Sequence, residues 1–466
     1  MLFSSSIFLF LFLPLVIIGY KLLKEKYRMY FLMLASLFFY AWGEPKYILV
    51  MLLSIAINYG FGLLLHASKQ TGFRKVWLAL AVVCNLGILF YFKYLNFTIT
   101  SVNKLLHTGF ATRDIVMPIG ISFFTFQGMS YVIDLYYNKV KVQKNPAIVA
   151  FYISFFPQLI AGPIVRYIDI EDQIISRTES FEKFTDGAKR FIVGLSKKVI
   201  IANTLGYTAD LVFRNPILEN SAPIAWIGII CYTFQIFFDF SGYSDMAIGL
   251  GRLFGYEFLE NFNYPYISKT ITEFWRRWHI SLSTWFRDYV YIPLGGNRKG
   301  NVYVNLAIVF IITGFWHGAS FNFLLWGVWH GLFLILERAF KLTKVEKKGL
   351  VPLRYALTML VVVIGWVFFR VEGLPDAFRY LGIMFGLVQP TYVGFTPWFY
   401  LDTKTIIMLA IAAIASIPIA NTKLLAGLRR YAAWQYVTAA LSVGLLLLSM
   451  VFIIASTYNP FIYFRF

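Results

Sequence analysis

Long apolar runs recur along almost the whole chain and constrain its fold more than any other feature. A helix needs about 20 mostly apolar residues to cross a bilayer, and only helices and closed barrels satisfy all their backbone hydrogen bonds inside one. Hydrophobic residues make up 59% of the 466-residue sequence and charged residues 14%, whereas soluble proteins have about 45–50% and about 25%. We therefore expect an all-α polytopic membrane protein, with residues 1–466 forming a single membrane-embedded domain.

The apolar runs predict about 11–13 transmembrane or re-entrant helices. Several runs are short or are interrupted by glycine and proline, which is typical of segments that pack on protein or line a cavity instead of crossing lipid. The candidate helices are residues 3–20, 29–42, 47–65, 76–96, 115–137, 147–165, 188–212, 224–240, 302–317, 320–337, 353–370, 405–420 and 436–456, with a shorter apolar segment at 378–389.

Basic residues lie mainly in the short loops between these runs, and the formal net charge is +19. Lysine and arginine accumulate in the cytoplasmic loops of membrane proteins, where they also attract anionic lipid headgroups. By this rule residues 21–28 and 269–300 lie on the cytoplasmic side and the C-terminus lies outside. The membrane and its lipids account for the positive charge, and we expect no nucleic-acid partner.

Three of the five histidines, His279, His317 and His330, each follow a tryptophan. Ionisable residues within apolar spans are costly and are often functional. A neutral imidazole can take a proton from a hydroxyl group, and burial keeps it neutral by lowering its pKa. The pattern is consistent with transfer of an acyl group to an alcohol. The alternative is that each ring only hydrogen-bonds a neighbouring helix.

Acidic and hydroxyl side chains are concentrated in FFDFSGYSDMAIGLG, residues 237–251, which contains Asp239, Ser241 and Tyr243. A transporter or flippase would need carboxylates of this kind in mid-span, but it would also show repeat symmetry, and the sequence has no convincing internal repeat. The same residues suit helix capping and hydrogen bonds between helices, and the sequence favours that interpretation.

No metal site is predicted. Cys84 and Cys231 lie far apart in apolar runs, without the second cysteine or the histidine that a zinc site requires nearby. Signatures of serine hydrolases, nucleotide-binding loops and zinc proteases are also missing from the sequence.

Three longer stretches together resemble the membrane-bound O-acyltransferase family, and most of all its bacterial branch. They are FDFSGYSDMAIGLGRLFG at 238–255, NFNYPYISKTITEFWRRWHISLSTWFRDYVYIPLGGNRKG at 261–300 and TGFWHGASFNFLLWGVWHGLF at 313–333. The resemblance is strong over residues 115–335, the motif-bearing core, and weaker over the N-terminal spans and the aromatic tail, 457–466. It implies a bundle of helices around a central funnel.

The resemblance also implies roles for particular residues. His317 matches the catalytic histidine of the family, where it acts as a general base, and His279 matches the second characteristic position of the motif. The resemblance assigns no role to His330, which is a candidate for lining the same cavity. The other candidates for lining it are Trp316, Asp239, Ser241 and Tyr243.

A cytoplasmic acyl thioester, acetyl-CoA or another, is the donor that the resemblance implies, and no metal is involved. A basic cluster at the expected cytoplasmic mouth suits the phosphates of such a donor. Its members are Arg276, Arg277, Arg287, Arg298 and Lys299. The alternative is that these side chains only bind anionic lipid and fix the orientation of the chain.

The chain ends in NPFIYFRF, and Tyr463 presents a phenol that could carry the acyl group as an ester. An aromatic anchor at the membrane surface explains the same residue equally well. The resemblance implies a multi-pass protein of a bacterial inner membrane, a polysaccharide acceptor and an extracytoplasmic esterase-like (SGNH) acetyltransferase as partner. A lipid or teichoic-acid acyltransferase of the same family is the alternative, and a transporter is a more distant one.

Overall fold

A computed structural model of the chain describes residues 1–69, 72–343, 348–419, 427, 431 and 433–462. Within these residues the protein is helical and contains no strand, as the sequence predicts. The α-helices are α1 (Leu13–Leu22), α2 (Glu25–Gly43), α3 (Ile48–Ala67), α4 (Arg74–Leu89), α5 (Leu95–Leu106), α6 (Ile121–Tyr136), α7 (Pro146–Ser154), α8 (Phe156–Leu159), α9 (Tyr167–Ile175), α10 (Phe181–Ser196), α11 (Asn203–Arg214), α12 (Ala222–Leu253), α13 (Ile271–Arg277), α14 (Ile280–Phe286), α15 (Val302–His317), α16 (Phe321–Ala339), α17 (Val351–Arg370), α18 (Leu374–Met384), α19 (Pro397–Tyr400), α20 (Thr403–Ala415) and α21 (Trp434–Ala455).

Short non-α turns join or extend several of these helices. π-helical turns cover Phe8–Phe12, Phe90–Tyr94, Lys197–Ala202 and Arg287–Tyr291, and 3₁₀ turns cover Ile217–Glu219, Pro265–Ile267 and Lys348–Leu350. In the described part of the chain, five helices are long and apolar enough to cross a membrane. They are Ile48–Ala67, Arg74–Leu106, Ala222–Leu253, Val351–Arg370 and Trp434–Ala455.

Several predicted spans differ from the structure in their bounds, and two of them have a clear physical reason. The run at 147–165 is divided into α7 and α8, because Phe155 leaves the helical conformation (ψ 111°) and Pro157 opens the next helix, where its missing N–H is tolerated. The run at 224–240 continues to Leu253 as part of α12. Its polar second half stays helical because side chains such as Ser244 are buried and bonded to other elements.

The chain divides into two compact units, and the first comprises Met1–Phe191 and Met246–Leu259. Its helices α3 and α4 are joined by buried Asn58 and Asn85, whose amides donate to each other's Oδ1 at 3.0 Å in both directions. A β-carbon added at Gly128 of α6 would lie 2.3 Å from Asn58 Nδ2. The three helices therefore pack around a polar pair that supplies its own hydrogen bonds, as apolar surroundings require.

The second unit comprises Ile192–Asp245 and Glu260–Phe466, and it contains the extensively packed α15–α16 hairpin. Gly314 of α15 and Gly327 of α16 face each other: a β-carbon on either glycine would lie 3.1 Å from the other's Cα. A β-carbon on Gly327 would also lie 2.3 Å from the Phe310 carbonyl oxygen. Small residues at such crossings let helix backbones approach in membranes.

We expect Gly327→Ala to destabilise this hairpin, because the obstructing atoms are backbone and the helices must separate. Overpacking of this kind costs about 1–3 kcal/mol, which would lower the melting temperature of the purified protein by several degrees. Gly444→Ala on α21 is the control, since a β-carbon there meets nothing within 4 Å and alanine favours the helix. An unchanged melting temperature for Gly327→Ala would contradict the close approach.

Candidate active site

His317 is the last residue of α15 and is 3% exposed. The chain then turns through Gly318, in extended conformation (φ −171°), and enters α16, whose first turn is capped by the Ser320 hydroxyl accepting the Phe323 N–H. Three rings surround the imidazole with centroids at 4.9, 4.9 and 5.3 Å, those of Trp316, Trp326 and Phe369. The helix end, the turn and the rings together hold this histidine away from solvent.

His279 lies between two short helices, α13 and α14, and is fully buried. Its backbone is in the left-handed region (φ 44°), which is uncommon for a residue other than glycine. Asn261 stabilises this conformation because its carbonyl accepts the Ile280 N–H at 2.9 Å and its side-chain Oδ1 accepts the Ser281 N–H at 3.2 Å. The unusual conformation turns the imidazole into the protein, where Nδ1 lies 3.0 Å from Asn261 Oδ1.

The hydrogen bonds of Asn261 define the tautomer of His279. A backbone N–H can only donate, so the Asn261 atom that the Ser281 N–H contacts is the oxygen, and His279 Nδ1 must carry the proton in its bond to that oxygen. Asn261 Nδ2 in turn donates to Ser244 Oγ of α12 at 3.0 Å. Burial lowers the pKa of the His279 imidazole to about 3, so the ring is neutral at physiological pH with its basic lone pair on Nε2.

His330, the third histidine, lies on α16 and is also fully buried. Phe274 stacks on it, and Trp275 and Trp326 contact it edge-on, with centroids at 6.2, 5.3 and 5.1 Å. A β-carbon added at Gly365 of α17 would lie 2.6 Å from His330 Nε2. Glycine at position 365 therefore makes the space in which this ring sits.

Aromatic rings connect the three histidines into one cluster. Trp316 lies 6.3 Å from the His279 ring and 4.9 Å from that of His317, and Trp326 contacts both His317 and His330. Buried polar atoms nearly always have hydrogen-bond partners. Yet among the described residues none is found for either nitrogen of His330 or for the indole N–H of Trp275 and Trp326. The cluster thus offers polar atoms to a bound substrate inside an apolar protein.

Glu337 of α16 fixes the position of α13, the helix that leads into His279. Its carboxylate accepts the N–H groups of Ile271 and Thr272 at 2.5 and 2.8 Å and the Thr272 hydroxyl at 2.7 Å. A carboxylate at a helix N-terminus is favoured by the helix dipole. The FWRRWH segment is therefore held on the hairpin that carries His317 and His330.

The five basic candidates fall into two groups, those that form a salt bridge and those that do not. Arg277 pairs with Glu273 at 2.9 Å and Arg287 pairs with Asp288 at 2.7 Å. The other three are Arg276 on α13 and Arg298 and Lys299 in the glycine-rich turn after Leu294, and all three are exposed, as is Arg287. Two positive-φ glycines, Gly295 and Gly296, shape that turn. Among the described residues, Arg276, Arg298 and Lys299 thus form no salt bridge with a carboxylate, whereas Arg277 and Arg287 do.

The acidic stretch of α12 is buried. Asp239 pairs at 2.7 Å with Lys198, and the Tyr243 ring lies 4.6 Å from that of Phe461. Ser241 is 2% exposed. Tyr463 lies outside the described residues, and the last described residue before it is Ile462.

Two residues that contact these candidates, Asn261 and Lys198, are not among the site residues predicted from the sequence. Asn261 lies in a loop, ENFNYP, whose composition is typical of a turn. Lys198 could have been found from the sequence, because it is a lysine at the start of an apolar run, KKVIIA. Charged residues inside membrane spans are usually functional or paired.

Comparisons with known proteins identify the family of the chain. The family model described as "MBOAT, membrane-bound O-acyltransferase family" matches residues 120–370. The chain is 47% identical over 394 residues to the "Probable alginate O-acetylase AlgI" of Pseudomonas aeruginosa, covering 83% of this chain and 75% of the relative. It is 37% identical over 423 residues to the "Peptidoglycan O-acetyltransferase" of Helicobacter pylori, covering 83% and 80%.

A more distant relative is the "Teichoic acid D-alanyltransferase" of Bacillus subtilis, 29% identical over 276 residues, which cover 55% of this chain and 67% of the relative. The matched residues 120–370 include all three buried histidines. The chain is therefore a multi-pass membrane enzyme that belongs to the membrane-bound O-acyltransferase family.

Proposed function

We propose that this protein passes an acetyl group from cytoplasmic acetyl-CoA across the membrane for O-acetylation of an exported polysaccharide. The observation that carries the proposal is the buried cluster of His279, His317 and His330 within a family of O-acyltransferases. The names of two relatives give alginate and peptidoglycan as acetylated polymers. Alginate, peptidoglycan or a related polysaccharide is thus the class of final acceptor.

His317 is the proposed general base. It takes the proton from an acceptor hydroxyl as that oxygen attacks the thioester carbonyl, and a C–O bond forms. The tetrahedral intermediate then expels the thiolate of coenzyme A as the C–S bond breaks, and the imidazolium returns its proton to that sulfur. General-base catalysis of this kind contributes about 10²–10⁴-fold to the rate.

His279 is proposed to orient the reacting groups. With its proton on Nδ1 and given to Asn261, the neutral ring has only an acceptor at Nε2. It therefore suits a hydrogen bond from the acceptor hydroxyl or from the His317 ring, and it cannot donate to an oxyanion in this tautomer. The oxyanion therefore needs another hydrogen-bond donor. The buried indole N–H groups of Trp275 and Trp326 are the proposed donors.

The donor contact is proposed for Arg276, Arg298 and Lys299. These three are exposed, whereas Arg277 and Arg287 already pair with carboxylates and have less charge to offer. Guanidinium and ammonium groups bind phosphate, and coenzyme A carries three phosphoryl groups on its nucleotide end. Anionic lipid remains the competing ligand for the same side chains.

Tyr463 is the proposed carrier of the acetyl group on the far side, as a phenolic ester that a separate esterase-like acetyltransferase consumes. We expect Tyr463→Phe to abolish acetylation of the polymer, because phenylalanine keeps the aromatic ring and removes the oxygen that forms the ester. The measurement is ester-linked acetate on the exported polymer, with protein level as control. Unchanged acetylation would leave Tyr463 as an aromatic anchor only.

The proposed function itself is tested with labelled acetyl groups. Cells with the chain and cells in which it has been deleted are compared for label in the exported polysaccharide and in the extracted lipid. We expect label in the polysaccharide only when the chain is present. Chain-dependent label in the lipid fraction would instead identify a lipid acyltransferase of the same family.

A further inference from the structure

Lys198 and Asp239 form an ion pair that is almost completely buried. Their side chains are 1% and 2% exposed, and Lys198 Nζ lies 2.7 Å from Asp239 Oδ1. Lys198 belongs to the π-helical turn between α10 and α11, and Asp239 lies on α12. Removing two charges from water costs about as much as their attraction returns, so a buried pair is weak evidence for a role in stability. Its remaining hydrogen bonds indicate a different role.

Both charged groups bind the backbone of the C-terminal tail, which follows α21. Lys198 Nζ donates to the Pro460 carbonyl oxygen, and Asp239 Oδ2 accepts the Ile462 N–H at 2.9 Å. The residue between them, Phe461, lies under the Lys198 ammonium at 5.9 Å and packs on the Tyr243 ring at 4.6 Å. The pair therefore holds three consecutive residues of the tail through a carbonyl, a ring and an amide.

Two further contacts fix the tail upstream. Asn203 Nδ2 donates to the Tyr458 carbonyl at 3.3 Å, and the Tyr458 hydroxyl donates to Asp210 Oδ2 at 2.7 Å. Asp210 is itself paired with Arg370 at 2.8 Å. Polar side chains of α11, of the turn before it and of α12 thus hold the tail from residue 458 to residue 462.

The same stretch of α12 supports His279. Phe240, the residue after Asp239, packs edge-on against the His279 ring at 4.6 Å, and Ser244 accepts the hydrogen bond from Asn261. The end of the described tail and the environment of His279 therefore contact the same six-residue stretch of α12, residues 239–244. In the sequence Tyr463 follows Ile462 directly.

We propose that Lys198 and Asp239 are positioning residues that clamp residues 458–462 of the C-terminal tail onto the stretch of α12 that supports His279, and that acyl transfer depends on this clamp. This inference rests on the proposed function, because a clamped tail matters to catalysis only if the tail receives or hands on the acyl group. The clamp itself is a matter of binding and is measured without any acyl transfer.

The test replaces both charges together, as Lys198→Met with Asp239→Leu. Apolar residues of similar size in place of a buried pair usually preserve folding, while the bonds to Pro460 and Ile462 are lost. Purified full-length protein is treated with a carboxypeptidase, and release of residues 458–462 is followed by mass spectrometry. We expect release to be about tenfold faster or more than in the unmodified protein, as loss of charged hydrogen bonds implies.

Two matched variants separate the clamp from general damage. Lys198→Arg keeps a cation that can donate to both partners, and we expect it to protect the tail. Ser449→Ala removes a buried 3.0 Å hydrogen bond from Ser196 to α21, the helix before the tail, without touching the tail itself. We expect its tail to stay protected. Equal release from the double variant and from unmodified protein would overturn the clamp.

Polymer acetylation is then measured for the same proteins at equal protein level and melting temperature. We expect the double variant to lose most acetylation while Lys198→Arg retains it. A released tail with normal acetylation would overturn the catalytic part of the inference. Failure of unmodified protein to acetylate any polymer would reject the proposed function. The clamp would then still be supported or rejected by the carboxypeptidase result alone.

If the double variant does not fold, Tyr458→Phe provides the second variant. It removes only the hydroxyl bond to Asp210 and leaves the Asp210–Arg370 pair in place. We expect faster release of residues 458–462 and a partial loss of acetylation. Protection equal to that of the unmodified protein would count against a tail held by polar side chains.

Discussion

His317→Gln is expected to lower the rate of acyl transfer by about 10²–10⁴-fold, the usual contribution of a general base. Glutamine is close to histidine in size and keeps hydrogen-bonding atoms, but its amide cannot take a proton near neutral pH. The change therefore removes proton transfer while keeping the position packed between Trp316, Trp326 and Phe369. The measurement is the initial rate of labelled acetyl transfer by purified protein in proteoliposomes.

The control for His317→Gln is His107→Asn. His107 is exposed and adopts the left-handed conformation (φ 52°), which asparagine tolerates, so this variant should keep the normal rate. Both variants must match the unmodified protein in melting temperature. A folded His317→Gln protein that transfers acetyl groups within about twofold of the normal rate would exclude His317 as the base.

The sequence predicts most of the helices because their signal is local. The run at 302–317 becomes α15 with the same boundaries, since sixteen mostly apolar residues are bounded by Asn301, which caps the helix through its side chain, and by Gly318 after His317. The prediction for 147–165 is wrong where Pro157 interrupts a run that is otherwise mostly apolar. Hydropathy measures how apolar a run is and does not register a missing backbone N–H.

The candidate site is predictable to the extent that its residues carry their own signal. His317 and His279 stand out because imidazoles beside tryptophans are rare in apolar sequence, and the structure places both against Trp316. Asn261 could not be assigned in this way, because its importance lies in three hydrogen bonds to residues 279–281. An asparagine in a loop looks the same whether or not it makes them.

Lys198 and Asp239 illustrate the same limit over longer distances. Their partners in the tail, Pro460 and Ile462, lie more than 200 residues further along the chain. Only the packing of the second unit brings these groups together, and no periodicity in the sequence reports it. The sequence could identify the tail as aromatic and Asp239 as an unusual carboxylate, but it could not connect them.

Asn261→Leu is expected to lower acyl transfer by about 10²-fold, an effect at the lower end of those produced by losing a catalytic group. Leucine removes the oxygen that accepts from His279 Nδ1 and from Ser281, so the imidazole is free to take the wrong tautomer and turn Nε2 from acceptor into donor. Some loss of stability accompanies the change because the Ser281 N–H loses its acceptor. Activity is therefore compared per folded molecule.

Asn261→Asp separates the tautomer from packing, because it keeps an acceptor oxygen at the same place. We expect it to retain most activity at alkaline pH. A carboxylate beside His279 favours the imidazolium and raises the His279 pKa above its value of about 3. Below the raised pKa the ring is protonated and Nε2 cannot accept, so the acid limb of the pH–rate profile should move to higher pH. An unshifted profile, or full activity in Asn261→Leu, would show that this hydrogen bond does not control the base form of His279.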